Sequence, residues 1–419
     1  MSIPVRILVL DKNRFLRGEV GAPTRVTVVP RHNLPSDCEF TFPLAHPRAG
    51  DLLAPGALVI VNYEAITGRP LMSGMVVRVA GSLADLSLTV TVRGAMTLLQ
   101  GVLGWPLPAQ PLTGQSVEFD VRAGVAETVV KTLISANALG RLALPVTIAP
   151  DLGRGAQITS QVRFVPLLDA VTPLLAAGGI GLSVELAAPT GQPMRSSGLV
   201  VDVYVPRTYP RTLTDRSGVV TDWTLTRNAP TGTRTVLGGP GDKAARQFFS
   251  DVDTAAEGLV GPLGTVEVFV DSNIGSDLAG LAKTLADAQA AQAATPSPAN
   301  AAAVTAAQNA LNAGQAAFVT AQAFEFSKAR TAGAARDGLA VTLAETATFR
   351  VGDNLRPGDR VTVEVGGLTV TDVMTECTVT WDDKGLNVTP TVGLVPSSER
   401  RLARVLVGLA RAIRAKGVR

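Results

Sequence analysis

Histidine occurs only twice in the 419 residues, at His32 and His46, and cysteine only twice, at Cys38 and Cys377. Histidine is the usual acid–base group and metal ligand near neutral pH. Its scarcity leaves little room for Ser-His-Asp or Cys-His chemistry, and no G-x-S-x-G elbow accompanies either histidine. No Cys/His spacing matches a zinc site, and two distant cysteines make no disulfide framework. We read His32, His46 and Cys38 as residues flanking strands, and expect neither metal nor cofactor. Aromatic residues are only 4% of the chain, so few large anchors are available for a core. Long apolar runs are also missing. The uncharged stretch 95–117 is broken by glycines and prolines, and the stretch 288–324 is rich in Gln, Asn and Thr. Neither would satisfy its polar groups in lipid, so no membrane span is expected. The opening segment 1–11 reads as a strand, Val5 to Leu10, rather than as a signal peptide.

Turn-formers and small apolar residues are what the chain has. Glycine (41) and proline (27) together with 46% hydrophobic residues predict short strands joined by tight loops, with enough length for two or three cores. Period-2 patterns in Arg25–Val29, Glu39–Leu44, Ala57–Tyr63, Gly74–Val79 and Leu86–Val92 predict an antiparallel β-unit over 1–107. Residues 108–212 read as an α+β insertion. There Val125, Val129, Leu133 and Ile134 recur at helical spacing, with Gly140 at the end. A second helix spans 166–177, with Pro173 kinking it or delaying its start, and Gly178-Gly179 stopping it.

Strands return over 213–276. A compositional outlier follows, with 20 alanines among residues 279–323. Thr295-Pro-Ser-Pro298 interrupts it, placing Ser297 as N-cap and Pro298 at the first helical position. We expect two antiparallel helices, 277–294 and 298–335, with a thin seam of Leu278, Leu281, Leu285, Val304, Leu311 and Phe318 that needs a partner. Residues 336–395 complete the second β-unit. The end of the chain, 396–419, has the pattern of a basic amphipathic helix. Leu402, Val405, Leu406, Leu409 and Ile413 share one face, and no acid follows Glu399.

Short motifs carry little chemistry. Val236–Arg246 lacks the spacing of a phosphate loop and has Ala244 where a hydroxyl is required. Gly178–Gly181 does not match G-x-G-x-x-G. Asp353, Asp359, Asp372, Asp382 and Asp383 show no EF-hand spacing. Trp105, Trp223 and Trp381 lie in strand or loop patterns rather than on an evident sugar-binding platform.

An ordered set of segments does carry a resemblance. It comprises Val5–Asp11, His32–Pro43, Gly74–Val77, Gly124–Val130, Arg163–Asp169, Val201–Arg207, Val236–Gly241, Phe269–Asp271, Leu355–Val361 and Pro390–Gly393. Together they resemble the tail-hub proteins of tailed bacteriophages, in the branch of minor tail proteins of siphophages infecting actinobacteria. The resemblance covers the chain to about residue 395; the Ala-rich hairpin and the terminal helix fall outside the shared pattern. It implies a β-rich α+β fold, with two barrel-like tail-tube-type domains split by an α+β insertion. It also implies a homotrimer forming a pseudo-sixfold ring at the tail tip of a virion, between a sixfold tube or distal tail ring and a threefold tip. Its neighbours would be the distal tail protein and central tip, tape-measure or fibre proteins, and DNA would pass without specific binding. The face of Leu402, Val405, Leu406, Leu409 and Ile413 is expected to dock on a neighbour. Rival readings are a tail-associated cell-wall hydrolase or peptidase, a glycan-binding adhesin, and the hub of a prophage or phage-derived injection system.

The charge balance agrees. The formal net charge is +3, but residues 400–419 hold seven basic residues and no acid. The rest has 31 basic against 35 acidic residues, a mildly acidic body that would not hold a polyanion.

Overall fold

The computed structural model describes residues 4–392, except 22, 65, 67–68, 83, 85, 215, 217–219, 240–245, 273, 275–277, 344–354 and 366–367. The expected C-terminal helix and its face, Leu402 to Ile413, lie outside the described residues.

Seven strands open the chain: β1 (Val5–Leu10), β2 (Leu16–Val20), β3 (Arg25–Val29), β4 (Asp37–Pro43), β5 (Leu58–Tyr63), β6 (Met72–Ser82) and β7 (Ser87–Gly94). A short helix, α1 (Ala49–Leu53), lies between β4 and β5. Alternation dictates the faces: Val26 and Val28 of β3, Cys38, Phe40 and Phe42 of β4, and Leu88, Val90 and Val92 of β7 all point into one core. Strand β2 was not legible because Leu16-Arg-Gly-Glu-Val20 carries no apolar alternation; it is held by pairing with β1.

The strands after residue 212 that pair with this sheet are β15 (Leu213–Thr214), β16 (Val220–Asn228), β20 (Arg336–Leu343), β21 (Arg360–Val365), β22 (Leu368–Asp382) and β23 (Gly385–Val392). They do not form a detached sheet. The hydrogen-bonded path runs β16-β20-β23-β22-β3-β4-β7-β6-β5-β1-β2, crossing between the two segments where Val379, Thr380 and Trp381 of β22 lie opposite Val28, Thr27 and Val26. Val361, Val363, Val379 and Val388 share the core of Ile7, Phe40 and Phe42.

Just ahead of the insertion, β8 (Leu103–Gly104) pairs with its β12 (Val165–Pro166); the insertion also carries β9 (Asp120–Val125), α2 (Ala126–Ile134), β10 (Val146–Ile148), β11 (Gln157–Val162), α3 (Leu167–Gly178), β13 (Gly181–Leu186) and β14 (Leu199–Tyr204). It has its own core, in which Val130, Leu133 and Ile134 of α2 meet Leu167, Val171 and Leu175 of α3. Two expectations shift. Gly140 does not end the first helix; the chain continues through a wider π-type turn, Ser135–Arg141. Asn137, fully buried, turns its side-chain amide back onto the Leu133 carbonyl and so competes with the ordinary backbone bond. Pro173 sits inside α3 without delaying its start; the Asp169 carbonyl it leaves unpaired belongs to an exposed residue that water can reach.

The region expected to begin the second β-unit divides. β15 and β16 pair with the large sheet, whereas β17 (Arg234–Gly238), β18 (Phe248–Val252) and β19 (Glu267–Asp271) form a separate sheet ordered β18-β17-β19. Its connector α4 (Thr254–Val260) is capped by Asp253, whose side chain accepts from the Ala256 N–H. One face of this sheet packs on α6 (Pro298–Gly333), the partner of α5 (Leu278–Ala294): Leu237, Phe249 and Val270 meet Phe318, Ala321 and Phe326. Period-2 patterning identifies strands but not which sheet they join.

The hairpin itself forms as the sequence predicts. Between residues 304 and 321 its less exposed positions on α6 are 304, 307, 311, 314, 318 and 321, the 3-4 spacing of a two-helix seam. Ser297 caps α6 by accepting from the Asn300 N–H at 3.1 Å. Replacing Ser297 by alanine is expected to lower the melting free energy by about 1 kcal/mol, read by chemical denaturation. An unchanged midpoint would show that the cap contributes nothing.

Candidate functional site

Three of the segments that carry the resemblance, His32–Pro43, Val201–Arg207 and Leu355–Val361, converge where the first β-segment, the insertion and the last β-segment meet. Asn33, in a left-handed conformation at φ 54°, reaches from the β3–β4 loop into the insertion. Its side-chain carbonyl accepts from the Leu182 N–H at 2.8 Å, and its amide donates to the Ile180 carbonyl at 3.1 Å. Those two bonds fix which end of the amide is nitrogen. The other amide hydrogen then points at His32 Nε2, 3.1 Å away. With Nε2 accepting, the proton of the neutral ring sits on Nδ1 and is donated to Tyr204 Oη at 2.8 Å. Tyr204 in turn donates to the Pro357 carbonyl at 3.4 Å. One polar chain thus links all three segments.

Backbone geometry makes room for it. A Cβ on Gly181 would stand 2.2 Å from the Tyr204 ring, and one on Gly358 (φ +104°) would stand 2.7 Å from Tyr204 Oη and 2.8 Å from His32 Nδ1. Beside them, buried Asp359 accepts from the backbone N–H groups of Arg356 (3.2 Å) and Arg207 (3.3 Å). Arg31 ties the same corner to β22, pairing with Glu376 at 3.0 Å and with Asp37. On the far side Ser73 of β6 accepts from the Leu186 N–H at 2.7 Å, which aims its own hydroxyl hydrogen at Glu185, 2.6 Å away.

Burial sets the electrostatics. It pushes the His32 imidazole down to about 4, against the pull of the Asp359 charge, so the ring is neutral as the hydrogen bonds require. It pushes the Glu185 carboxyl up to about 7, against the Ser73 donors and the Arg69 charge. The two groups act in opposite senses. Unfolded His32 binds its proton near pH 6.5, so between about 4 and 6.5 the unfolded state holds more protons and stability falls as pH falls, by about 3 kcal/mol in all. The folded state holds the Glu185 proton longer, so that contribution is lost as pH rises from 4.5 to about 7. The two largely cancel between about 4.5 and 6.5, so Glu185→Gln is expected to unmask the His32 contribution there, its stability rising with pH more steeply than that of the wild type, measured as urea midpoint against pH. Parallel profiles of the two proteins over that range would sink this assignment.

A second polar cluster lies on the insertion. Glu127, with no exposed surface, receives Lys131 Nζ at 2.7 Å and Arg154 through both Nε (2.8 Å) and Nη2 (2.7 Å); Asp202 bonds both cations at 3.0 Å. The Arg154 bonds foremost, then those from Lys131 and the Arg154 backbone N–H, overcome burial and hold the Glu127 carboxyl well below the usual carboxylate range.

Between junction and insertion lies a cleft of ≈ 450 Å³. Five arginines and three carboxylic acids are among its lining residues. Arg31 and Arg154 have the partners just given, and Arg207 lies 3.6 Å from Asp359.

His32 is therefore a pin of the junction rather than a residue merely flanking a strand; the adjacent Asn33 was the available signal. His46 stacks edge-on against Phe42 with ring centroids 5.5 Å apart, and the Cys38 and Cys377 side chains are buried. Among the described residues no group of three His, Cys, Asp or Glu side chains is placed to hold a metal, and no helix is long and apolar enough to cross a membrane. Trp105 packs edge-on against Phe164 with Arg141 over its ring, and Trp381 packs on the main core.

This β-rich architecture is the fold of phage tail proteins. It is similar to the 43 kDa tail protein of prophage MuSo2 from Shewanella oneidensis, at a TM-score of 0.51 and 12% identity over 93% of this chain and 98% of that one. It is equally similar to the tail protein from Neisseria meningitidis MC58, at a TM-score of 0.50 and 12% identity over 93% and 96% of the two chains. The chain belongs to the Siphovirus ReqiPepy6 Gp37-like protein family, whose model matches residues 4–394. No curated protein matches it.

Proposed function

We propose that this protein is a structural hub at the tail tip of a siphovirus particle, a homotrimer that adapts a sixfold tube or distal tail ring to a threefold tip. Each chain contributes two barrel-like β-domains, one from residues 1–107 and one from the strands of 213–228 and 336–395. Three chains would set six such units around a channel. The observation that carries this reading is the continuous sheet in which β22 pairs with β3. It couples the two β-segments rigidly enough to act as neighbouring units of one ring. Family membership as a siphovirus tail protein supports the setting.

The insertion, 108–212, decorates the ring and is locked to it by the junction. The hairpin and its small sheet project for contact with a fibre, a central tip protein or a symmetry mate. The C-terminal segment docks on a neighbouring tail protein through Leu402, Val405, Leu406, Leu409 and Ile413. DNA passes the mildly acidic body without specific binding. In this reading the protein is not an enzyme: His32 is occupied in holding the junction, and Glu127 and Asp202 of the insertion are engaged in ion pairs.

The test is mass measurement at micromolar concentration with imaging of the particle tip. Three chains of 43.3 kDa give a species of about 130 kDa, and images should show a ring of three chains with six similar lobes. A monomer in solution together with a tip lacking threefold density would end the hub reading.

A further inference from the structure

Two arginines of the cleft are left without a carboxylate. Arg69 and Arg356 both line it, and among the described residues neither guanidinium has an acid within ion-pair distance. Burial first, and then the Arg356 charge, make the Arg69 cation harder to hold, while the charges of Glu185 and Asp359 pull the other way. The acids nearest to them are already engaged. Asp359 accepts two backbone N–H groups and faces Arg207, and Glu185 is bonded to Ser73. Like charges lining one cleft repel, and an anion bound between them relieves that repulsion. The hydroxyl of Tyr204 is held at the same wall by His32. Apolar side chains, Leu71, Met96 and Val184, form part of the remaining lining.

We propose that this cleft binds a phosphate group, held by the forks of Arg69 and Arg356. Two guanidiniums with no acid at ion-pair distance match the charge of a phosphate dianion, and planar forks suit its oxygens. The volume exceeds what one phosphate fills and falls within the range of small-ligand pockets, so the apolar wall accommodates a small organic group esterified to it. The site stands apart from the hub reading, and its failure would leave the trimer untouched.

The experiment is calorimetric titration of the full chain with inorganic phosphate and, separately, with glycerol 3-phosphate, each against chloride at matched ionic strength. One saturable site per chain is expected. Tighter binding of the ester identifies an esterified source, and equal or tighter binding of inorganic phosphate identifies the free ion. Arg69→Gln and Arg356→Gln should each weaken binding about tenfold or more, while the exposed Arg78→Gln leaves it unchanged. Melting curves without ligand establish that the variants fold. If either does not, the wild-type titration decides alone. No saturable heat beyond chloride, or full affinity in folded Arg69→Gln and Arg356→Gln proteins, overturns the proposal.

Discussion

Replacing Glu127 by alanine is expected to lower the unfolding free energy by about 3 kcal/mol, as for other buried ion pairs that lose one partner. The carboxylate lies on the first turns of α2 with no exposed surface, and Lys131, one turn later, is 4% exposed. Removing the acid leaves a buried ammonium and one face of the Arg154 guanidinium with Asp202 as their remaining carboxylate partner. Asp202 is itself half exposed, so it compensates only in part. The sign of the pH dependence follows from the depressed carboxyl. Its stabilisation is present above the ordinary glutamate range and is lost as pH falls through the folded-state value. The wild-type protein should therefore lose more stability than Glu127→Ala between pH 5 and pH 3. Urea unfolding at several pH values reads both. A loss under 1 kcal/mol at neutral pH, with parallel acid slopes, would show that the cluster is a solvated ornament of the insertion.

Much of the fold was legible because strand alternation and helix caps are local. Ser297 and Pro298 mark the start of α6, and Leu278, Leu281, Leu285, Val304, Leu311 and Phe318 mark the seam of the hairpin. The split of the region 213–276 was not legible. Residues 220–228 and 234–238 both read as strands, and only long-range pairing assigns one to the main sheet and the other to the sheet under α6. The junction was half legible. Its segments were among those that carried the resemblance, but a lone histidine is chemically ambiguous until its partners are known. Asn33, Tyr204 and Pro357 are separated from one another by more than 150 residues, and no spacing rule connects them. The Arg69 and Arg356 pair was hidden for the same reason, since an unpaired cation is defined by what does not lie beside it in space.

Gly358→Ala is expected to be as damaging as losing Glu127, for a different reason. The residue has a φ of +104°, outside the regions open to a side chain, and a Cβ there would lie inside the contact distance of Tyr204 Oη and His32 Nδ1. Backbone strain of about 1–3 kcal/mol adds to overpacking of about 1–3 kcal/mol. The two causes can be separated. At Gly181 no positive φ is involved, and the three atoms nearest the added Cβ all belong to the Tyr204 ring. Tyr204→Ala should therefore rescue most of the cost of Gly181→Ala in a double-mutant cycle. The same change should rescue Gly358→Ala only in part, because the φ strain and the His32 contact remain. Both cycles are read as denaturation midpoints at pH 8, where His32 is neutral in the folded and unfolded states alike. Complete rescue of Gly358→Ala would mean that Tyr204 alone dictates glycine at that position. Absence of rescue at Gly181 would mean that the Tyr204 ring does not hold the insertion against the β-body.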